Sequence, residues 1–160
     1  MELQLEIDGI QAQRGGRLWV YLFGPQGFPK EHRAALQKTA FDLSGAKLVA
    51  TLETQLAGEV AIKIVHDDEG RDGDIRKRFG FFPDMGIGYS KGARITWRLP
   101  RFNESALRLD PEAVRKLRVP IQMQYLFQNA TRNAKPGQRE GIAGKSDAIV
   151  GRRMHKEYHL

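Results

Sequence analysis

Short runs of alternating apolar and polar residues, separated by turn residues, constrain the fold of this chain more than any other feature. In the first run, Leu3, Leu5 and Ile7 alternate with Gln4, Glu6 and Asp8, which is typical of a strand with one buried face. Runs with similar character occupy residues 17–23, 38–43, 47–52, 59–65 and 117–125. Because a period of two places side chains on the two faces of a strand, the pattern predicts an all-β fold.

The predicted architecture is an antiparallel Greek-key β-sandwich of about seven strands, similar to immunoglobulin or transthyretin domains. Residues 17–23 are apolar on both faces, so we expect both faces of this strand to be covered. Pro120 lacks an N–H group, which predicts that the last strand lies at a sheet edge or carries a bulge. Residues 31–37 form at most a short helix, and residues 66–90 form a long loop.

The chain divides into a predicted sandwich domain, residues 1–125, and a basic tail, residues 126–160. The tail contains seven Lys and Arg residues against three acidic ones and therefore carries +4 of the net charge of +7. It has few large apolar residues and no sustained period, so we expect most of it to be disordered. Such a tail also suggests a hypothesis of binding to an anionic polymer, either nucleic acid or a membrane surface.

The chain has no cysteine, which excludes disulfides, thiolate zinc sites and cysteine nucleophiles. No apolar run of 18 residues is present, so no transmembrane segment is predicted. The first residues start directly in a strand pattern without the features of a signal peptide. We therefore expect either a cytoplasmic protein or a leader encoded upstream of Met1.

Residues 66–90 concentrate the unusual side chains of the sequence. Asp67, Glu69, Asp72 and Asp74 form an oxygen-rich set that could supply ligands to Ca²⁺. The spacing differs from that of an EF-hand, because Arg78 stands where the bidentate Glu would be. The favoured alternative is an acidic turn whose Asp side chains accept hydrogen bonds from nearby backbone N–H groups.

The same loop contains candidates for ligand binding, which are His66, Asp67, Phe81, Tyr89 and Ser90. His66 could act with Asp67 or Asp68 as the general base of a hydrolase, although no matched nucleophile is evident. The favoured interpretation is a structural histidine bonded to backbone or to a neighbouring Asp. The aromatic residues of the loop either pin it to the sandwich or offer a patch to a ligand.

Further basic residues form a scattered set that comprises Lys77, Arg78, Lys91, Arg94, Arg98, Arg101 and the tail. Trp97 lies between Arg94, Arg98 and Arg101. Nucleic-acid binding would require these cations to cluster on one face with stacking aromatics. The favoured interpretation is a solvated charged face, so nucleic acid is not the expected partner.

An ordered set of short motifs resembles a bacterial family of uncharacterised β-sandwich proteins, known only as a domain of unknown function. The motifs are a strand ending in Gly9-Ile10, a GFP turn, an HDxxG loop and an FGxxPxxGxGxS segment. The matching positions lie between residues 3 and 125 and are Gly9, Ile10, Gly16, Val20, Leu22, Phe23, Gly27, Phe28, Pro29, Gly58, Ala61, His66, Asp67, Gly70, Gly80, Pro83, Gly86, Gly88, Ser90, Phe102, Ala106 and Tyr125.

The resemblance implies an exported sandwich without a known reaction, because members of the family usually carry a secretion leader. The loop departs from the family pattern HDxNGNGxLD, since Glu69, Arg71 and Asp72 replace asparagines and a glycine. The predicted function is an exported, non-catalytic binding or accessory module that uses residues 66–90. Its expected partner is a protein or glycan of the cell envelope, in the periplasm or outside the cell.

Overall fold

The computed structural model describes residues 1–70, 72–74, 77–78 and 82–127, and these residues form an all-β structure as predicted. A four-residue helix, α1 (Phe102–Ser105), and three 3₁₀ turns, Ala12–Arg14, His32–Ala34 and Ser90–Gly92, complete the regular structure of this part. The strands are β1 (Glu2–Asp8), β2 (Arg17–Phe23), β3 (Gln37–Asp42), β4 (Leu48–Glu53), β5 (Gly58–Asp67), β6 (Lys77–Arg78), β7 (Phe82–Pro83), β8 (Gly86–Tyr89), β9 (Ala106–Leu109) and β10 (Lys116–Gln122).

The strands form a three-stranded sheet, a five-stranded sheet and a short β6–β7 hairpin. The order in the small sheet is β10–β1–β4, and the order in the large sheet is β3–β2–β5–β8, with β9 pairing the opposite end of β5 from β8. The β1–β10 pairing is parallel, whereas the other pairings are antiparallel. The expectation of a fully antiparallel sandwich was therefore wrong at this pair, because an alternating pattern is the same for either strand direction.

The main core lies between the two sheets. Each strand contributes alternate residues, so that Leu5 of β1 pairs with Ala50 on one side and Val119 on the other. These side chains are almost completely removed from solvent. The buried set comprises Leu3, Leu5, Ile7, Ile10, Leu18, Val20, Leu22, Ala50, Leu52, Val60, Ile62, Ile64, Leu109, Val119, Ile121 and Met123.

The large sheet is also covered on its outer face, which confirms the expectation for residues 17–23. Tyr21 and Phe23 of β2 point outward and form a second cluster with Val65, Met85, Ile87, Tyr89 and Ile95. Phe28 and Leu99, from the segments that follow β2 and precede α1, pack against this cluster. The large sheet is thus the middle layer of the molecule, and polar groups on either of its faces have to find partners inside the protein.

On one side the two sheets are joined by the chain that follows β10. Gln124 exchanges two backbone hydrogen bonds with Ile87 of β8, of 2.7 and 2.9 Å. Pro120 is exposed within β10, which is an edge strand of the small sheet, as its missing N–H predicted. Gly86 and Gly88 allow the close approach, because a Cβ on Gly86 would enter the Tyr125 ring and one on Gly88 would meet Ile121.

Other expectations were less complete or fall outside the described residues. The segment 31–37 contains a 3₁₀ turn over His32–Ala34 before β3 begins, and β9 was not indicated by the sequence. The prediction of one long loop over residues 66–90 was wrong at its end, because β8 pairs with β5 there and β6 and β7 form a short hairpin. Most of the tail, residues 128–160, lies outside the described residues, so its disorder stays a prediction. In the described part of the chain, no helix has the length and apolar character needed to cross a membrane.

The glycines of β8 generate a stability prediction. We expect Gly86→Ala to lower the free energy of unfolding by about 1–3 kcal/mol, because the methyl group would displace the Tyr125 ring. Gly24→Ala is the matched control, since its Cβ would make only an ordinary contact at 3.5 Å to Leu36. Urea denaturation of both variants measures the effect, and equal stabilities would contradict the proposed packing.

Candidate functional site

His66 stands at the end of β5 on its inner face, where both ring nitrogens have partners inside the protein. Its Nε2 lies 2.6 Å from the carbonyl oxygen of Gly15, and its Nδ1 lies 2.7 Å from the Tyr125 hydroxyl. Because a carbonyl only accepts, Nε2 carries the proton, and Nδ1 accepts the Tyr125 O–H. The Tyr125 oxygen in turn accepts the backbone N–H of Gln11 at 3.0 Å. The imidazole therefore joins β5, the 11–15 turn and the end of the described chain.

The electrostatic surroundings keep His66 neutral. The residue is 1% exposed, and burial lowers the pKa of its imidazole, although the hydrogen bond to Gly15 and the carboxylate of Asp68 oppose this effect. A general base needs an accessible lone pair within reach of a substrate. In His66 that lone pair is occupied by Tyr125, which matches the structural interpretation of this residue.

An ion pair fastens the turn before β2 to the loop after β5. Arg14 Nε lies 2.7 Å from Asp68 Oδ2, and both side chains are nearly buried, at 6% and 1% exposed. The guanidinium also lies over the Tyr125 ring, 5.2 Å from its centre. Sequence reasoning did not identify this pair, because nothing in the local pattern links Arg14 to a residue 54 positions away.

Asp67 fixes the beginning of the loop from the outer face. Its carboxylate accepts the backbone N–H groups of Glu69 and Gly73, at 3.3 and 3.1 Å. The carbonyl of Gly73 accepts the Tyr21 hydroxyl at 3.1 Å, and Lys38 Nζ donates to the carbonyl of Asp72 at 2.5 Å. Asp67 thus has the role of an Asp side chain that accepts backbone N–H bonds within an acidic turn, which was the favoured interpretation of this loop.

The proposed calcium ligands do not form one cluster. Asp67 is buried and faces the backbone of its own loop, whereas Glu69, Asp72 and Asp74 are exposed. Within the described residues, no three His, Asp or Glu side chains come together in a way that could hold a metal ion. The described residues therefore contain no group of side chains that supports the calcium hypothesis.

The proposed ligand-binding residues are also distributed over different places. His66 and Asp67 are consecutive in a strand and point to opposite faces, so the structure separates the hydrolase pair. Ser90 donates to the carbonyl of Ser105 at 2.5 Å and accepts the N–H of Ile62 at 2.9 Å. Tyr89 is buried on the outer face against Phe28, with the ring centres 5.8 Å apart. Phe81 lies outside the described residues.

A buried lysine on the outer face is a polar group that sequence reasoning missed. Lys63 of β5 is 1% exposed, and its Nζ donates to the carbonyl of Pro29 at 2.6 Å. The same Nζ lies 3.0 Å from Nε2 of His32, whose ring stacks on Tyr21. Burial, together with the charges of Lys63 and Lys38, lowers the pKa of His32 to about 3, so this imidazole is neutral and accepts from the ammonium. The only signal was a lysine inside the otherwise apolar run of residues 60–65.

Comparison with known proteins identifies the family to which the chain belongs. The family model described as "Uncharacterized protein conserved in bacteria (DUF2141)" matches residues 5–116. The chain belongs to this family. No curated protein and no solved structure matches the chain. The match confirms an uncharacterised bacterial family, whereas secretion and the detailed loop motif remain expectations. Tyr125, the partner of His66, lies beyond the matched residues of DUF2141.

The bonds of Tyr125 give a test of the polar network in this DUF2141 protein. We expect Tyr125→Phe to lower the free energy of unfolding by about 1–3 kcal/mol, because it leaves Nδ1 of His66 buried without a donor. Tyr89→Phe is the matched control, since the Tyr89 hydroxyl is buried and has no hydrogen-bond partner in the described structure. Chemical denaturation should show Tyr89→Phe as neutral or stabilising. A cost for Tyr89→Phe as large as that for Tyr125→Phe would contradict this account.

Proposed function

We propose that this protein is an exported, non-catalytic binding or accessory module whose contact surface lies in the loop of residues 66–90. The observation that carries the proposal is the contrast between the base of the loop and its exposed side chains. The base is held by Arg14 on Asp68, Tyr21 on Gly73 and Lys38 on Asp72. A loop held by a rigid sheet loses little conformational entropy on binding, which favours recognition.

The arrangement of the polar residues supports a role without catalysis. His66, Asp67 and Ser90 are each at most 1% exposed and each bond to fixed groups of the protein. Catalysis requires such groups to contact a substrate and exchange a proton with it. In this loop they instead stabilise the backbone, and the solvent-facing positions are left to contact a partner.

The exposed side chains that the structure describes in this loop indicate the chemistry of that partner. Glu69, Asp72 and Asp74 are exposed near the pinned base, although the chain as a whole carries a net charge of +7. Carboxylates at the rim of an interface accelerate association with a positively charged surface. We therefore propose a protein with a basic patch, in the bacterial cell envelope, as the partner. Export itself rests on the resemblance to a family whose members usually carry a leader.

The two alternatives have less support from the described residues. The hydrolase hypothesis pairs His66 with Asp67 or Asp68. Asp67 faces the opposite side of the strand, and the carboxylate of Asp68 is bonded to Arg14. Binding of an anionic polymer through the tail concerns residues 126–160, most of which lie outside the described structure, and it stays a prediction.

Site-specific photo-crosslinking tests the proposal. A benzophenone amino acid replaces Asp74 in the full chain, which is expressed from its native gene in the bacterium that produces it. We expect a discrete crosslinked protein adduct in the cell-envelope fraction, because Asp74 is exposed in the proposed contact surface. The matched control carries the same amino acid at Glu112, an exposed acidic residue of the turn before β10.

A charge variant and the cell fraction of the adduct decide its interpretation. Asp72→Asn, combined with the crosslinker at residue 74, should reduce the yield, because the amide removes a charge and tolerates the positive φ of 54° at this position. Equal yields from positions 74 and 112, or an adduct found only in the cytoplasm, would refute the proposal.

A further inference from the structure

A tryptophan far from the loop is unusually exposed. Trp97 is 82% exposed, and no other large hydrophobic residue in the described part of the chain exceeds 60%. Large aromatic side chains contribute strongly to binding when they are removed from water. An indole exposed to solvent on a folded protein is therefore a candidate for contact with a ligand.

Trp97 is exposed because it lies in a turn whose two ends are held by packing and hydrogen bonds. On one side Ile95 is 6% exposed, and its N–H donates to the side chain of Gln124 at 2.9 Å. On the other side Pro100 is buried, and the N–H of Thr96 donates to the carbonyl of Arg98 at 3.1 Å across the tip. The indole is thus held outward at the apex of a short turn that is anchored at both ends.

Cations flank the indole in the sequence, and the nearest acidic residues along the chain are Asp84 and Glu104. Residues 85–103 contain four Lys and Arg residues and no Asp or Glu. Arg98 lies over the Trp97 ring at 5.7 Å and forms two hydrogen bonds with Glu104, of 2.8 and 2.9 Å. The remaining cations are exposed; they are Lys91, Arg94 and Arg101. Arg98, and to a smaller extent Arg101, lowers the pKa of the Glu104 carboxyl.

The backbone at Lys91 supports the idea of a functional surface. Lys91 has φ 58° and ψ 22°, in the left-handed region that a residue with a Cβ seldom adopts. Strained backbone of this kind is concentrated at ligand-binding and switch regions. We name the set Lys91, Arg94, Trp97, Arg98 and Arg101 the Trp97 surface.

We propose that the Trp97 surface binds the interface of a bilayer that contains anionic phospholipids. An indole prefers the boundary between headgroups and acyl chains, and cations beside it are attracted by the negative surface potential. The exposed cations provide charge complementarity, and Trp97 provides the group that enters the interface. This proposal uses a different surface from the loop of residues 66–90 and does not depend on a partner there.

The composition of the surface favours a bilayer over a nucleic acid. Proteins that bind single strands use successive exposed aromatic side chains on which neighbouring bases stack. Within the described residues, this surface offers one exposed aromatic side chain, and Arg98 already lies against its ring. A lone tryptophan flanked by Lys and Arg instead has the composition of a membrane-interface anchor.

Vesicle titration with the full chain tests the proposal. The probe is a set of vesicles of phosphatidylcholine with phosphatidylglycerol at a 7:3 ratio, about the composition needed for a strongly negative surface. We expect the tryptophan emission to shift to shorter wavelength on binding, and this shift to be absent in Trp97→Phe. Trp97→Ala should weaken partitioning about tenfold, because the variant no longer buries roughly 60 Å² of apolar indole surface in the bilayer interface.

Charge variants separate the Trp97 surface from the general positive charge of the chain. Arg94→Glu should weaken partitioning about 25-fold, because about fivefold is expected for each unit of charge. Arg115→Glu is the matched control, since it makes the same charge change at an exposed residue just before β10. It should weaken partitioning less than fivefold. Thermal unfolding of each variant confirms that these solvent-exposed substitutions leave the fold intact.

Several outcomes would overturn the proposal. These are an unchanged affinity in Trp97→Ala, an equal loss in Arg94→Glu and Arg115→Glu, and the absence of any vesicle binding. Binding to a single-stranded oligothymidylate that depends on Trp97, without binding to vesicles, would identify a nucleic-acid surface and would also refute it.

Discussion

Burial of the five-stranded sheet on both faces is the constraint on which the rest of this structure depends. The inner residues of β2 and β5, such as Val20 and Ile64, meet the small sheet, and the outer residues Tyr21 and Val65 meet the surrounding segments. Burial of apolar surface on both sides supplies the main driving force for folding. It also fixes where the loops run, because their aromatic side chains complete the outer layer.

Covering both faces determines the role of the polar residues that the middle layer contains. Lys63, His66 and Asp67 are consecutive or nearly consecutive in β5, and each has its bonds made by groups of the protein. A buried polar group without a partner costs about 1–3 kcal/mol, so these bonds are needed for stability. The conspicuous chemistry of the HDxxG motif is therefore used to fasten turns, while the exposed surfaces lie at the acidic loop and at Trp97.

The sequence predicted β1–β5 and β10, because alternation directly reports which side chains are buried, whereas the short strands β6–β9 were not indicated. It could not indicate that β1 and β10 run parallel, since the pattern carries no information about direction. It identified His66 as a residue to examine, but its partners Gly15 and Tyr125 lie 51 and 59 positions away. The calcium hypothesis counted oxygens along the chain and did not include the burial of the Asp67 carboxylate against the backbone of its own loop. Cations around Trp97 were visible in the sequence, whereas the packing of Ile95 that exposes the indole was not.

The most direct test of the structural role of the HDxxG motif is an NMR titration of the histidine ring nitrogens in the full chain. Burial lowers the pKa of His66 below its ordinary value of 6.5, and the bond to Gly15 places the proton on Nε2. The ring of His66 should therefore be neutral, in the Nε2–H form, at pH 7 and above, and its protonation should be centred below pH 6.5. Protonation centred near pH 6.5 or above, or a proton on Nδ1, would show an accessible imidazole and would contradict the structural role.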